Sequence, residues 1–96
     1  MDKVDAKAAK QFYDAVLTLK NLEECKAFFE DVCTIREFQD LSQRLQVAVM
    51  LEKGLNYQEI SKQTSVSSAT ISRVNRCLLY GEGGYRTVLD RMGKND

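Results

Sequence analysis

An all-helical fold is predicted for this 96-residue chain by three observations. It contains no Pro and only five Gly, its apolar residues recur at three- and four-residue spacing, and Asn or Thr stands three residues before a Glu at the head of several such segments. Six helices account for the whole length and leave no room for a sheet.

Val4, Ala8, Phe12, Val16 and Leu19 lie on one face of a first helix, roughly residues 3–20. Asn21 and Glu24 then have the spacing of a cap, in which the Asn side chain accepts an orphan N–H and the Glu reaches back. The second helix offers Leu22, Cys25, Phe29 and Val32. Thr34 with Glu37 opens a third, carrying Phe38, Leu41, Leu45, Ala48 and Val49, and Gly54 ends it as a left-handed cap. Asn56 with Glu59 opens a two-turn helix to Thr64. Ser65, Val66 and Ser67 form a turn, and Ser67 caps a fifth helix from Ser68 to about Tyr80 with Ile71, Val74 and Leu78 inward. Gly81, Gly83 and Gly84 break that helix. Tyr85, Val88, Leu89 and Met92 fall at i, i+3, i+4 and i+7 on a sixth, and the tail from Gly93 is expected to fray.

The composition excludes several functions. With no His, Ser–His, Cys–His and HExxH chemistry are ruled out, and adjacent acids such as Glu23 and Glu24 point apart on a helix, so no enzyme is expected. Cys25, Cys33 and Cys77 have neither disulfide nor zinc-site spacing and read as buried, reduced thiols, so no metal is expected. The longest apolar run, Val47 to Leu51, is far below the roughly 20 residues that span a bilayer, and the charged start Met1-Asp2-Lys3 lacks a signal-peptide core. These features predict a cytoplasmic protein without a membrane partner. Net charge is zero, but residues 1–53 hold 10 acids and 8 bases while 54–96 hold 4 acids and 6 bases. That bias is too small by itself to argue for nucleic acid.

Residues 57–76 carry the functional signal. A short helix, a three-residue turn and a longer helix read as a helix-turn-helix, with Ile60, Val66, Ile71 and Val74 at the apolar offsets and the small Ser61 where the backbones approach. Ser65 stands where Gly is usual, and Ser tolerates a left-handed conformation less easily. The outward face of the second helix presents Ser67, Ser68, Ala69, Ser72, Arg73 and Arg76, small or hydroxyl-bearing at its start and basic further along, as suits a helix entering a major groove. Lys62 on the preceding helix is placed to reach a phosphate.

Leu41-Ser-Gln-Arg44 leading to Lys53-Gly54, then Tyr57-Gln-Glu-Ile60 and Ala69-Thr-Ile-Ser-Arg73, resemble the tryptophan repressor superfamily, most nearly its YerC/YecD branch of small Gram-positive proteins. The resemblance runs from about Phe28 to Met92. It implies an intertwined all-helical homodimer, a single domain over residues 1–96 with 1–53 as dimerisation helices, 56–80 as the helix-turn-helix and 85–92 as a C-terminal dimerisation helix. It also implies double-stranded DNA as partner and a pseudo-palindromic operator with half-sites about one turn, roughly 34 Å, apart. Repressor-type members bind L-tryptophan, and Thr34, Arg44, Thr70 and Arg73 match positions of their effector pocket. This chain departs from that type at Val74, where the repressor has Gly and the branched side chain would take ligand space, and at Cys77, where it has Ser. No cofactor is therefore expected; tryptophan is not expected to bind, and the chain reads as a DNA binder that either needs no ligand or takes a different small effector. Arg44 and Arg73 read better as ion-pair or phosphate residues, with Asp40 or Glu37 as partners for Arg44 on a mostly buried helix. The predicted function is a sequence-specific DNA-binding regulator, a repressor acting as a homodimer. The alternative is a protein-interaction module that uses the same helix pair without DNA.

Overall fold

The computed structural model describes residues 4–94. Six helices follow one another, α1 Ala6–Leu17, α2 Leu22–Val32, α3 Ile35–Glu52, α4 Tyr57–Thr64, α5 Ser68–Tyr80 and α6 Gly84–Lys94, with no strand among the described residues. The first helix is shorter than its apolar spacing predicts. Asp5 caps it by accepting from the amides of Lys7 and Ala8 at 2.8 and 3.3 Å, and Lys3 lies outside the described residues. At the other end Gly93 and Lys94 are helical, where fraying was expected, and Asn95 and Asp96 lie outside the described residues.

The predicted caps are formed. Asn21 accepts from the Glu24 amide at 2.9 Å while the Glu24 carboxylate accepts from the Lys20 amide. Thr34 and Glu37 make a reciprocal box, the Thr hydroxyl accepting from the Glu37 amide at 3.1 Å and the Glu carboxylate from the Thr34 amide at 2.9 Å. Asn56 accepts from the Glu59 amide and Ser67 from the Thr70 amide. Each such cap satisfies an amide that the helix cannot, and contributes about 1 kcal/mol.

The described residues form two compact units, one reaching to Phe38 and the other starting at Gln39. In the first, α1 and α2 contain no buried residue. Their apolar side chains meet instead in an aromatic cluster, with Phe12 and Phe28 ring centroids 5.8 Å apart, Phe28 and Phe29 5.5 Å apart and edge-to-face, and Phe38 6.3 Å from Phe29. Such pairs add about 0.5–1.5 kcal/mol beyond area burial. Leu17 and Ile35 remain 81% and 90% exposed.

The core lies in the second unit. Val47 and Ala48 of α3, Ile60 of α4, Val66 of the turn, Ile71 and Val74 of α5 and Leu89 of α6 are buried together, and among the described residues no polar or charged one is buried with them. Ile60 and Ile71 are fully enclosed, which stabilises the unit by about 1.5–3 kcal/mol each. Val47, outside the predicted apolar stripe of α3, is as deeply buried. Phe38 and Leu41, within that stripe, stay half exposed in the single chain. The cysteine expectation also needs correction: Cys25 and Cys33 are half-buried and Cys77 is exposed, though all three are free thiols.

Two left-handed residues set the turns on either side of α4. After α3, Gly54 (φ +88°) lets its own amide donate to Leu51 O at 3.0 Å and the Leu55 amide donate to Met50 O at 3.1 Å, the paired closure of a Schellman motif. After α4, Ser65 takes φ +62° and its amide donates to Ser61 O at 2.8 Å. A Cβ in this conformation costs about 1–2 kcal/mol. Ser65→Gly is therefore expected to raise unfolding stability by up to about 1 kcal/mol after the added freedom of the unfolded chain is subtracted, measured by urea denaturation. A loss of stability would show that the Ser65 side chain stabilises the turn by some other means.

Candidate nucleic-acid interface

Residues 57–80 are held by their own apolar residues. Ile60 on α4 and Ile71 and Val74 on α5 are buried, with Val66 sealing the turn, so the faces opposite these side chains must point away from the core. On α5 that opposite face is Ala69, Ser72, Arg73 and Arg76, spaced i, i+3, i+4 and i+7. All four are exposed, as are Ser67 and Ser68 at the start of the helix and Lys62 on α4. Each of the seven residues predicted to meet DNA thus lies at the surface of one helix pair.

The charges of this face are available to a partner. Residues 57–80 contain Lys62, Arg73 and Arg76 against a single acid, Glu59. Ion pairs between described residues join Lys10 to Asp14, Arg86 to Glu52 and Arg86 to Asp90, and none involves those three bases. Ser67 is engaged, accepting from the Thr70 amide at 3.2 Å and donating to the Thr70 hydroxyl at 3.2 Å. Among the described residues the hydroxyls of Ser68 and Ser72 bond to no protein group, which leaves them able to donate and accept.

The candidate effector residues are divided between the two units. Arg44 and Thr70 share a cavity of about 320 Å³ whose other walls are Asp40, Gln43, Ser65, Val66 and Ser67. Thr34 lies instead on an apolar cleft of about 750 Å³ in the first unit, beside Phe29, Ile35 and Phe38, and its hydroxyl is occupied by the cap of α3. Arg73 lines neither. Val74 is buried in the core of the single chain. One expectation is corrected here. Arg44 is exposed, and neither Asp40 nor Glu37 forms an ion pair with it among the described residues; Glu37 is drawn back to the Thr34 amide.

Two features escaped the sequence. Thr64 donates its hydroxyl hydrogen to Ile60 O at 2.7 Å and accepts from the Val66 amide at 3.1 Å. Arg86 of α6 donates to the Glu52 carboxylate at the end of α3 and, at 3.4 Å, to Asp90. The Arg86–Asp90 spacing was readable as an i, i+4 pair, but Glu52 is 34 residues away and carries no local signal.

A helix-turn-helix with a bare basic and hydroxyl face, seated on a helical scaffold, defines a DNA-binding regulator in general. The chain belongs to the Trp repressor protein family, whose sequence profile matches residues 7–93. It is 49% identical to the uncharacterized protein YerC of Bacillus subtilis strain 168 over 96 residues, all of this chain and 92% of that one. Its fold matches the crystal structure of a TrpR-like protein from Eubacterium eligens at a TM-score of 0.90 and 49% identity, over 97% of this chain and 96% of that one. A chain from Staphylococcus aureus matches at 0.89 and 49% identity, over 96% of this chain and 92% of that one. The relatives are bacterial, and no helix of the described residues is long and apolar enough to cross a membrane.

Cys77 of α5 and Arg44 of α3 act electrostatically on the half-buried Tyr85 of α6. Burial of Tyr85 raises its phenol above the usual value of about 10, the Cys77 thiolate pushes it further up, and Arg44 opposes both. Because the folded pKa is the higher one, the stability from this group is full below pH 10 and is lost as pH rises above it through the folded pKa. Alkaline denaturation followed by circular dichroism is expected to shift to higher pH in Tyr85→Phe, and ultraviolet titration of that variant to lose its latest-ionising tyrosine. An unchanged last ionisation would assign it to another of the four tyrosines.

Proposed function

We propose that this chain is a transcriptional repressor that reads a pseudo-palindromic operator as a homodimer and needs no tryptophan to do so. The observation that carries the proposal is the outward face of α5, where small residues precede arginines that form no ion pair among the described residues. Ala69 offers a methyl to a thymine methyl, Ser68 and Ser72 offer hydroxyls to base edges or phosphates, and Arg73 reads a base edge or phosphate. Lys62, Ser67 and Arg76 position the phosphate backbone. Neutral net charge limits non-specific attraction, so discrimination rests on this face more than on a broad basic field.

The homodimer is supported by apolar surface left open in a single chain. Leu17, Ile35 and Tyr80 are all more than four-fifths exposed, and the cleft beside Phe29 and Phe38 is lined mainly by apolar side chains. Exposed apolar side chains in this number mark an interface. Within that dimer, residues 1–53 and 85–92 are the dimerising helices of a single domain and 56–80 the reading module.

The Arg44 cavity supports independence from tryptophan. Its lining of Asp40, Gln43 and three hydroxyl residues sets the Asp40 carboxylate against the attraction of Arg44 for a ligand carboxylate, and Val66 gives an indole little apolar wall. Isothermal titration with L-tryptophan is therefore expected to yield no binding heat, and a micromolar-range isotherm would make tryptophan the effector after all.

Selection from a randomised duplex pool at low salt is expected to enrich a palindrome with half-sites about one helical turn apart. On that duplex, Lys62→Ala should weaken binding by a similar factor on all sequences and reduce the salt slope by about 0.9. An unchanged slope would remove Lys62 from the interface. Absence of any duplex binding at low salt would transfer the helix pair to a protein partner.

A further inference from the structure

The C-terminal ends of α3 and α4 are closed differently. At the end of α3, Gly54 and Leu55 both return their amides to carbonyls of the helix they leave. At the end of α4 only Ser65 does so, donating to Ser61 O at 2.8 Å, so the next amide, that of Val66, has no helical carbonyl to take it. Val66 is 7% exposed and its side chain belongs to the core, so an unbonded amide there would be costly. Thr64 supplies the missing acceptor. Its hydroxyl accepts from the Val66 amide at 3.1 Å and donates to Ile60 O at 2.7 Å, joining the last turn of α4 to the residue just before the Ser67 cap of α5.

We infer that Thr64 is a positioning residue for DNA reading: its hydroxyl, by tying the Val66 amide to the last turn of α4, sets the angle at which α5 leaves the turn. The link is specific in chemistry. One side-chain atom must donate backward and accept forward within two residues, which Ser or Thr can do and Val cannot. Only Ser65, Val66 and Ser67 separate the two helices, so a small change of backbone angle at Val66 is carried along all of α5 to Ser72, Arg73 and Arg76. The consequence for operator discrimination rests on the DNA-reading role proposed above, whereas the consequence for helix orientation does not.

The full-length protein with Thr64→Val or Thr64→Ser tests this. Residual dipolar couplings of the backbone amides of α4 and α5 report their relative orientation without DNA. Thr64→Ser is expected to keep the wild-type orientation and Thr64→Val to change it. On DNA, Thr64→Val should lose about tenfold in affinity for the selected duplex, the size of one misread base pair, with binding to random duplex kept within about twofold, and Thr64→Ser should restore the selected-site affinity. Wild-type couplings in Thr64→Val overturn the inference whatever DNA does. Equal losses on both duplexes also overturn it, since they reduce Thr64 to a stability residue. A wild-type protein that enriches no duplex removes the DNA-reading role while the couplings still decide the orientation. Should Thr64→Val not fold, hydrogen exchange of the wild-type Val66 amide decides: protection well above that of the Ser68 amide supports the link, and exchange as fast as that of Ser68 overturns it.

Discussion

Everything the second unit offers to a partner depends on the burial of one side of α5. A 13-residue helix with Ile71 and Val74 locked among Val47, Ala48 and Ile60 cannot rotate about its axis without pulling apolar area into water. The 3.6-residue repeat then dictates which residues are outside. The arginines and hydroxyls of the reading face are oriented by the packing of the face opposite them, since they make almost no bonds that would orient themselves. The exception is Ser67, whose hydroxyl terminates the helix and so defines where the reading face begins.

The first unit follows a different rule. Its aromatic rings meet edge-on or tilted, yet none of the α1 and α2 side chains is enclosed, and the loop ends are held by local caps. Local hydrogen bonds and ring contacts settle where these helices start and stop. They supply no interior, which is why the assembly with a second copy is part of the functional reading and not an addition to it.

Helix starts were legible because their signals are local: Asn21, Thr34, Asn56 and Ser67 each pair with a backbone amide three residues along, and the pattern is visible in sequence. The apolar offsets of the helix-turn-helix were legible for the same reason of spacing. Exposure was less so. Phe38 and Leu41 have the periodicity of core residues but remain open in one chain, since periodicity says that a face is apolar and not which molecule covers it. Cys77 looked buried by residue type, although its place on α5 turns it outward. Arg44 and Arg86 show the limit most clearly. The partners available in sequence to Arg44 are taken up by capping or left apart, while the partner of Arg86 is brought from the far end of α3 by tertiary packing alone.

The wholly apolar core has a consequence for how such a chain can vary. Buried polar networks restrict an interior to one arrangement of side chains, and this interior has none. Volume-conserving exchanges among Val, Ile, Leu and Met are tolerated by interiors of this kind, so Val47, Ile60, Ile71 and Leu89 are free to drift together while the architecture persists. Uniqueness is carried instead by small polar residues at the helix ends, Thr34, Asn56, Thr64 and Ser67, which occupy little volume and have few chemical substitutes. In this protein the punctuation is less interchangeable than the text it separates.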